Sequence, residues 1–512
     1  MTATISQVTF EHAVTSSGGR LALLTARPEI TAFAALVVWV AVFWNGPLIN
    51  DVGWQLWIGR QINSGSRLYV DILELNPPLW FWFGALIERT TDATGVTGAR
   101  SLTVALALLA GAGVLLCRRL LPDRAQRLAL CGALVLTLFL TSPFALGQRE
   151  QLTAVTILPY LALVSARAEG RRIKAPPAIA VALFAAVGLA LKHYFALAPL
   201  ALEVWLLWRT RRWSLRPEFV TLVLAGVGYL GSIALFTPAY LTTMVPLLRT
   251  AYGGYNQPLP IQLREPALFA ALFTAGVLIL RDQKRPPLAG AAIVATAAFT
   301  IGYFLQAKAF AYHAVPLLAT TLVALLLGLF TAGNAKQPLI GKLLGLLASG
   351  CALAVPFAAG AARYDQAAGR ATAALPHGSA ITALTASGVT VWPLVQERGF
   401  RWHSPHMMLW MLAPAWSERQ DGRIDPALEQ LAATTRRQAA LEIACKRPAM
   451  VLVDRRYDSI VPEGSVFRFF VGDPVFRTAI RNYEPAPDAD YLQVFRRRGG
   501  DGAPPQMCST RS

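Results

Sequence analysis

The residues best suited to chemistry in this chain are ionisable groups placed where apolar runs begin or end. Asp51 stands at the close of the first run, in Asn-Gly-Pro-Leu-Ile-Asn-Asp-Val-Gly-Trp, and Asp71 and Glu74 follow in Tyr-Val-Asp-Ile-Leu-Glu-Leu-Asn-Pro-Pro-Leu. Arg149 and Glu150 lie in Gly-Gln-Arg-Glu, Lys192 and His193 in a turn between two runs, and Lys308, Tyr312 and His313 in Gln-Ala-Lys-Ala-Phe-Ala-Tyr-His. Ionisable side chains are costly in or beside a bilayer, so those present are functional candidates by default. A carboxylate ringed by cations suits one reaction class. The carboxylate takes a proton from an acceptor hydroxyl, while Lys or Arg neutralises a departing phosphate. Asp51, Glu74 and Asp71 are therefore the candidate bases. Arg149, Lys192, His193, Lys308 and His313 are the candidate phosphate-binding groups. Each also has a structural reading. Asp51 can cap or solvate a helix end, Arg149 and Glu150 can form a structural ion pair, Lys192 and Lys308 can snorkel to headgroups, and His313 can pack at the interface. The expectation rests on their convergence at one level, the outer ends of the helices.

The elements that must position these residues are membrane helices. Of 512 residues, 54% are hydrophobic and 15% charged, where soluble chains are about a quarter charged. Hydrophobic runs predict spans at 29–48, 99–117, 126–143, 151–166, 176–191, 194–208, 218–237, 266–280, 287–305, 314–332 and 338–361. Four basic clusters fall in short loops: Arg118, Arg119, Arg124 and Arg127; Arg167, Arg171, Arg172 and Lys174; Arg209, Arg211, Arg212 and Arg216; and Arg281, Lys284 and Arg285. They are expected on the cytoplasmic side, so the net charge of +18 reports topology and not a nucleic-acid partner. Residues 77–91 are apolar but too short to cross before Glu88 and Arg89, and they predict a juxtamembrane helix at the interface.

The expected fold is thus an all-α polytopic membrane protein of about eleven transmembrane helices with a long first outer loop, plus a small C-terminal α/β extracytoplasmic domain. It divides into a cytoplasmic tail over 1–28, a transmembrane domain over 29–361 and a periplasmic domain over 362–512, with outer loops at 49–97 and 238–265. In the last domain, Met450 to Val453 and Tyr491 to Phe495 read as strands, and Pro426 to Ile443 and Val466 to Ile480 as helices. The polar tail before Pro28 lacks a cleavage pattern, so the first run is expected to be a retained helix. Cys117, Cys131, Cys351, Cys445 and Cys508 show no paired spacing, which argues against a disulfide framework or a cysteine metal site. With no DxD or histidine cluster, neither metal nor cofactor is expected.

At these residues the chain resembles the GT-C superfamily of polyprenyl-phosphate-sugar-dependent glycosyltransferases, which includes protein O-mannosyltransferases and the bacterial transferases that add aminoarabinose or galacturonic acid to lipid A. Four features carry the resemblance: Asp51 opening a long first outer loop, the Asn-Pro-Pro-Leu juxtamembrane helix from Asn76 to Leu79, the stretch from Leu191 to Pro199, and an outer domain after the last helix. The likeness covers about the first 340 residues in layout. It implies that Asp51 is the general base or acceptor-positioning group. Family members often carry a second acid beside it, but position 52 is Val here, so the paired-carboxylate or metal-binding version lacks its partner. Some relatives place a lysine before the juxtamembrane proline to hold the carrier phosphate. Asn76 stands there in this chain, which leaves that work to Arg149, Lys192, His193 or Lys308.

The implied activity is transfer of a sugar from a polyprenyl-phosphate donor to a lipid-linked, glycan or protein acceptor at the periplasmic face of a bacterial inner membrane. The alternatives are a transporter or flippase for lipid-linked sugar and a polymerase-type assembly protein for surface polysaccharide. The absence of broken inverted halves and of mid-membrane acids stands against the first. The absence of a long basic loop with several arginines stands against the second.

Overall fold

The computed structural model describes residues 27–212, 214–280, 285–330, 338–360, 366–499 and 508. The tail expected at 1–28 falls outside these up to position 26, as do Arg281 and Lys284 of the fourth basic loop. The chain forms two compact units. One comprises Met1–Gly46, Ala99–Tyr229 and Pro258–Ala361; the other comprises Pro47–Gly98, Leu230–Gln257 and Ala362–Ser512.

The first unit is a helical bundle. Its described helices are α1 (Pro28–Phe43), then, after α2 and α3 of the second unit, α4 (Gly98–Leu120), α5 (Arg124–Ala145), α6 (Arg149–Ala168), α7 (Ala175–Leu189), α8 (Leu197–Thr210), α9 (Pro217–Phe236), α10 (Pro266–Ile279), α11 (Pro287–Gln306), α12 (Val315–Phe330) and α13 (Leu339–Ala359). Each of the eleven expected spans coincides with one of these helices. Among the described residues, seven helices have full span length and apolarity, while α1, α7 and α10 are apolar but shorter. The remaining one, α8, carries Glu203, which accepts a hydrogen bond from Tyr160 Oη at 2.9 Å.

The centre of the bundle is α6, buried at every position from Arg149 to Ala166. A helix covered all round must meet neighbours on every face. On one face α7 comes within backbone contact, because a Cβ at Gly188 would lie 2.7 Å from Thr153 Cα. By contrast α9 is almost wholly exposed along its apolar length, as a lipid-facing helix can be. Two arginines of the basic loops are internal. Arg167 pairs with buried Glu218 at 2.8 Å, and Arg216 pairs with Glu203. In the same clusters Arg172, Lys174, Arg209, Arg211 and Arg212 are exposed, and Arg171 is half-buried.

The second unit joins the first expected outer loop, and the second as far as Gln257, to the C-terminal segment. Residues 49–97, expected as a loop with a single helix, contain two: α2 (Asn50–Asn63) and α3 (Leu79–Thr94). The expected juxtamembrane helix is α3; α2 was not anticipated. They cross at glycines, since a Cβ at Gly59 would lie 2.4 Å from the Gly84 carbonyl carbon. Arg60 on α2 pairs with buried Glu88 on α3 at 2.9 Å. Tyr69 meets Tyr240 of the second loop at 5.0 Å between rings, and Tyr255 of that loop donates to the Trp410 carbonyl at 2.9 Å.

The C-terminal part is built on a five-stranded sheet, β1 (Ala380–Leu384), β2 (Arg401–Trp402), β3 (Met450–Asp454), β4 (Tyr483–Ala489) and β5 (Leu492–Arg497), in the order β2-β1-β3-β5-β4. β1 runs parallel to β2 and β3, pairing Ile381 with Trp402 and with Met450, and β5 runs antiparallel to β3 and β4. Its core gathers Val451, Val453, Trp410, Trp416, Ile443, Phe470 and Phe495. The helix expected over Pro426 to Ile443 is α14 (Pro426–Lys446). The one expected over Val466 to Ile480 is two helices, Val466–Val471 and Pro474–Ala479. Asp473 restarts the second by accepting from Val475 N at 2.8 Å with Pro474 behind it, an N-cap followed by a proline suited to the first turn.

The cysteine expectation is corrected. Cys445, at the end of α14, is disulfide-bonded to Cys508 across a sequence separation of 63. Linear spacing could not show the pair, because the fold, not a local motif, brings the two residues together. Cys117, Cys131 and Cys351 are free thiols.

Candidate functional site

The phosphate-binding candidates of the first unit come from three helix junctions. Gly147, at φ 77°, turns the chain between α5 and α6, and Gln151 Oε1 accepts from its amide at 2.9 Å. Gln148, Arg149, Glu150 and Gln151 then open α6, all buried. The start of a 20-residue helix directs backbone N–H groups and the positive end of the helix dipole to this point. Lys192, between α7 and α8, reaches Glu150 Oε1 at 2.6 Å and Gln306 Oε1, the last residue of α11, at 3.0 Å. His313, just before α12, places Nε2 at 3.8 Å from the same Glu150 oxygen. Tyr312 offers its ring to the Lys192 ammonium at 5.8 Å. The charges of Lys192, Arg149 and Lys308 all act on His313.

This arrangement is costly to build. Glu150 is fully buried and Lys192 is 8% exposed. Ions so placed persist only when paired and hydrogen-bonded. Lys308, in the connection between α11 and α12, is also buried, and desolvation lowers its pKa to about 8. It is therefore a cation at neutral pH and loses its charge as the pH rises through 8. His193, the remaining candidate, is exposed and has its ring against Tyr194 at 3.9 Å.

The three carboxylates lie in the second unit and differ sharply. Asp71 is held on both oxygens by Arg67, through Nη2 at 3.1 Å and backbone N at 2.7 Å, and this pairing depresses its pKa. Glu74 is buried and committed too. Trp54 Nε1 donates to Oε2 at 2.6 Å, and Asn76 donates through Nδ2 at 2.7 Å and N at 3.1 Å to Oε1. Asp51 is half-buried in the first turn of α2, where a negative charge is favoured, and Asn50 Nδ2 donates to its Oδ1 at 3.3 Å.

Four contributors escaped the sequence reading: Gln148, Gln151, Gln306 and Asn50. For the glutamines the signal was a polar residue bounding an apolar run; for Asn50 there was none, because α2 itself was not anticipated. Apart from these, Glu265 in the first unit is the N-cap of α10; its carboxyl accepts from Ala267 N at 3.3 Å and is pushed up by burial to about 7. Among the described residues no three of His, Cys, Asp and Glu gather as a metal site would require.

The buried lysine supports a pH prediction. If the ammonium of Lys308 holds phosphate, affinity for undecaprenyl phosphate should fall about tenfold between pH 7 and pH 9, as protonation drops across a pKa of about 8. Lys308→Arg stays charged and should flatten that limb. Binding followed by intrinsic tryptophan fluorescence checks this, and an unchanged limb in Lys308→Arg removes Lys308 from the phosphate site.

No family model matches the chain, and no curated protein matches it. Among solved structures it is similar to the crystal structure of ArnT from Cupriavidus metallidurans in the apo state, at 15% identity and a TM-score of 0.44, covering 94% of this chain and 98% of that one.

Proposed function

We propose that this chain is a membrane glycosyltransferase of the GT-C type that moves a sugar from a polyprenyl-phosphate donor to a lipid-linked, glycan or protein acceptor on the periplasmic face of the inner membrane. The observation that carries the reading is the meeting of buried Lys192 and His313 on Glu150 at the start of α6, beside buried Arg149. Buried cations at a helix N-terminus suit an anionic oxygen cluster at the depth of a lipid headgroup. In the step proposed, the acceptor hydroxyl gives its proton to the Asp51 carboxylate and its oxygen bonds to the anomeric carbon. The bond from that carbon to the phosphate oxygen breaks, and its electron pair leaves on the phosphate. Preorganised cations stabilise a developing charge of this kind and lower such a barrier chiefly by electrostatics, together with holding the reactants in place. Asp51 is proposed as the base on its place in the first turn of α2, while the Asp71 and Glu74 oxygens accept from Arg67, Trp54 and Asn76.

Three observations support the periplasmic side for the second unit. The exposed basic loops belong to the first unit. The first expected outer loop and residues 238–257 of the second share one compact unit with the C-terminal segment. The Cys445–Cys508 bond suits an oxidising compartment. Denatured full-length protein taken from cells under acid quench should accept maleimide-polyethylene glycol on three cysteines before reduction and on all five after it. Five adducts without reductant would remove the disulfide as support for this placement.

The activity is tested by comparing the surface glycolipids and glycans of a deletion strain with its parent by mass spectrometry. Loss of one defined sugar, with its polyprenyl-phosphate form retained in the membrane, is expected. An unchanged envelope, or bulk lipid-linked precursor held at the cytoplasmic leaflet, contradicts a transferase.

A further inference from the structure

The second unit contains a contact whose consequence reaches Asp51. The loop after β1, at the carboxyl end of the parallel β1–β3 pair, is fixed from beneath. Buried Asp454, the last residue of β3, accepts from Thr385 Oγ1 at 2.7 Å and Thr390 Oγ1 at 3.2 Å, and Arg456 Nη2 adds 2.7 Å bonds to both Asp454 Oδ2 and Thr390 Oγ1. Between the two threonines stands Gly388. A Cβ there would lie 2.4 Å from Met407 Cε and 3.0 Å from Asn50 Nδ2. That amide is the one that donates to Asp51 Oδ1. Next along the chain, Pro393 closes on Gly53, where an added Cβ would meet Pro393 Cβ at 2.6 Å. Trp392, with no exposed surface, sets its ring edge-on to Trp54 at 5.0 Å and to Trp57 at 5.9 Å, and Trp54 and Trp57 stack on each other at 4.7 Å.

The first two turns of α2 are therefore seated against the segment Gly388–Pro393, and the seat is rigid. Trp392 Nε1 is tied to the Met407 carbonyl at 3.1 Å, and the Asp454 network holds the loop from the sheet. We propose that the C-terminal domain acts as a positioning element for the proposed base: Gly388 leaves room for the Asn50 amide, and Asn50 orients the Asp51 carboxylate. A base aligned by a neighbouring donor, itself fixed by a third group, is a general device for making proton transfer efficient. The inference rests on the reading of Asp51 as base.

The test is a double-mutant cycle on the full-length chain. Transfer is measured by mass spectrometry with the polyprenyl-phosphate lipid extract of the deletion strain as donor and that strain's glycolipids as acceptor. Asn50→Ala and Gly388→Ala should each lower the maximal rate about tenfold or more, since small misplacements of a reacting group are expensive. The donor concentration for half-maximal rate and undecaprenyl phosphate binding should stay as in the parent. Because both act through one amide, Asn50→Ala/Gly388→Ala should lose no more than Asn50→Ala alone. Asn50→Ser, which keeps a donor on a shorter arm, should recover part of the rate. Additive losses, or a shift in half-saturation without a fall in maximal rate, overturn the positioning role. If Gly388→Ala does not fold, Asn50→Ala decides alone, and a rate within twofold of the parent sinks the proposal. Normal transfer by Asp51→Asn instead removes the base reading itself, so the two failures are distinguishable.

Discussion

Asp51→Asn is expected to lower turnover by about a hundredfold or more, the usual worth of a positioned general base. Donor half-saturation and protein yield should not change. The substitution keeps the size of the side chain and a hydrogen-bonding oxygen near Asn50 Nδ2, but removes the basicity. It also removes a negative charge from the first turn of α2, which at an exposed helix end is worth about 0.3–1 kcal/mol, too little to unfold a packed unit. Equivalent changes at the other two acids should read differently. Glu74→Gln disturbs the bonds from Trp54 and Asn76 and should lower stability together with rate. Asp71→Asn breaks an exposed pair with Arg67, and solvent screens such pairs, so little should happen. A rate loss confined to Asp71→Asn, measured on purified protein, would reassign the base.

The second large effect is expected at Lys192. Removing one partner of a buried ion pair leaves the other charge uncompensated, so Lys192→Met should destabilise the fold by about 3–5 kcal/mol. Glu150, without exposed surface, is the charge left behind. Glu150→Gln in the same chain removes that penalty and should restore most of the thermal stability. It should not restore use of the carrier. The double variant is expected to bind undecaprenyl phosphate about tenfold more weakly, the loss of one charge-assisted contact. The comparison separates structural and functional shares that a single substitution confounds. Parental affinity in a stable double variant would show Lys192 to be a structural counter-ion for Glu150.

What the sequence made legible follows from length scales. A span in lipid needs a continuous apolar run, so each helix from α4 to α13 announces itself, and so does α3 with its shorter run. The helix α2 did not, because Asn-Asp-Val-Gly-Trp-Gln-Leu-Trp-Ile-Gly-Arg-Gln is neither apolar enough for a span nor strongly periodic, and it contains two glycines that weaken an isolated helix. Those glycines serve tertiary contacts instead, Gly59 against α3 and Gly53 against Pro393. The cations at helix ends were legible for the same reason the spans were, since polar residues stand out against apolar runs. Their pairing was not. That Lys192 chooses Glu150 and Gln306, and that His193 next to it faces outward, depends on how α6, α8 and α11 approach one another. Asn50 and Gly388 were invisible because their meaning lies in one contact between segments far apart in the chain.

The central claim is that the chain itself moves a sugar off polyprenyl phosphate. It is tested most directly by incubating purified full-length protein with the deletion strain's polyprenyl-phosphate lipid extract and its glycolipids, then following both pools by mass spectrometry. The account predicts that acceptor gains one sugar for every polyprenyl-phosphate sugar lost, with free polyprenyl phosphate appearing in equal amount, and that Asp51→Asn protein of the same yield leaves both pools nearly unchanged. Donor that stays intact with wild-type protein while crossing from one leaflet of a reconstituted vesicle to the other would contradict it.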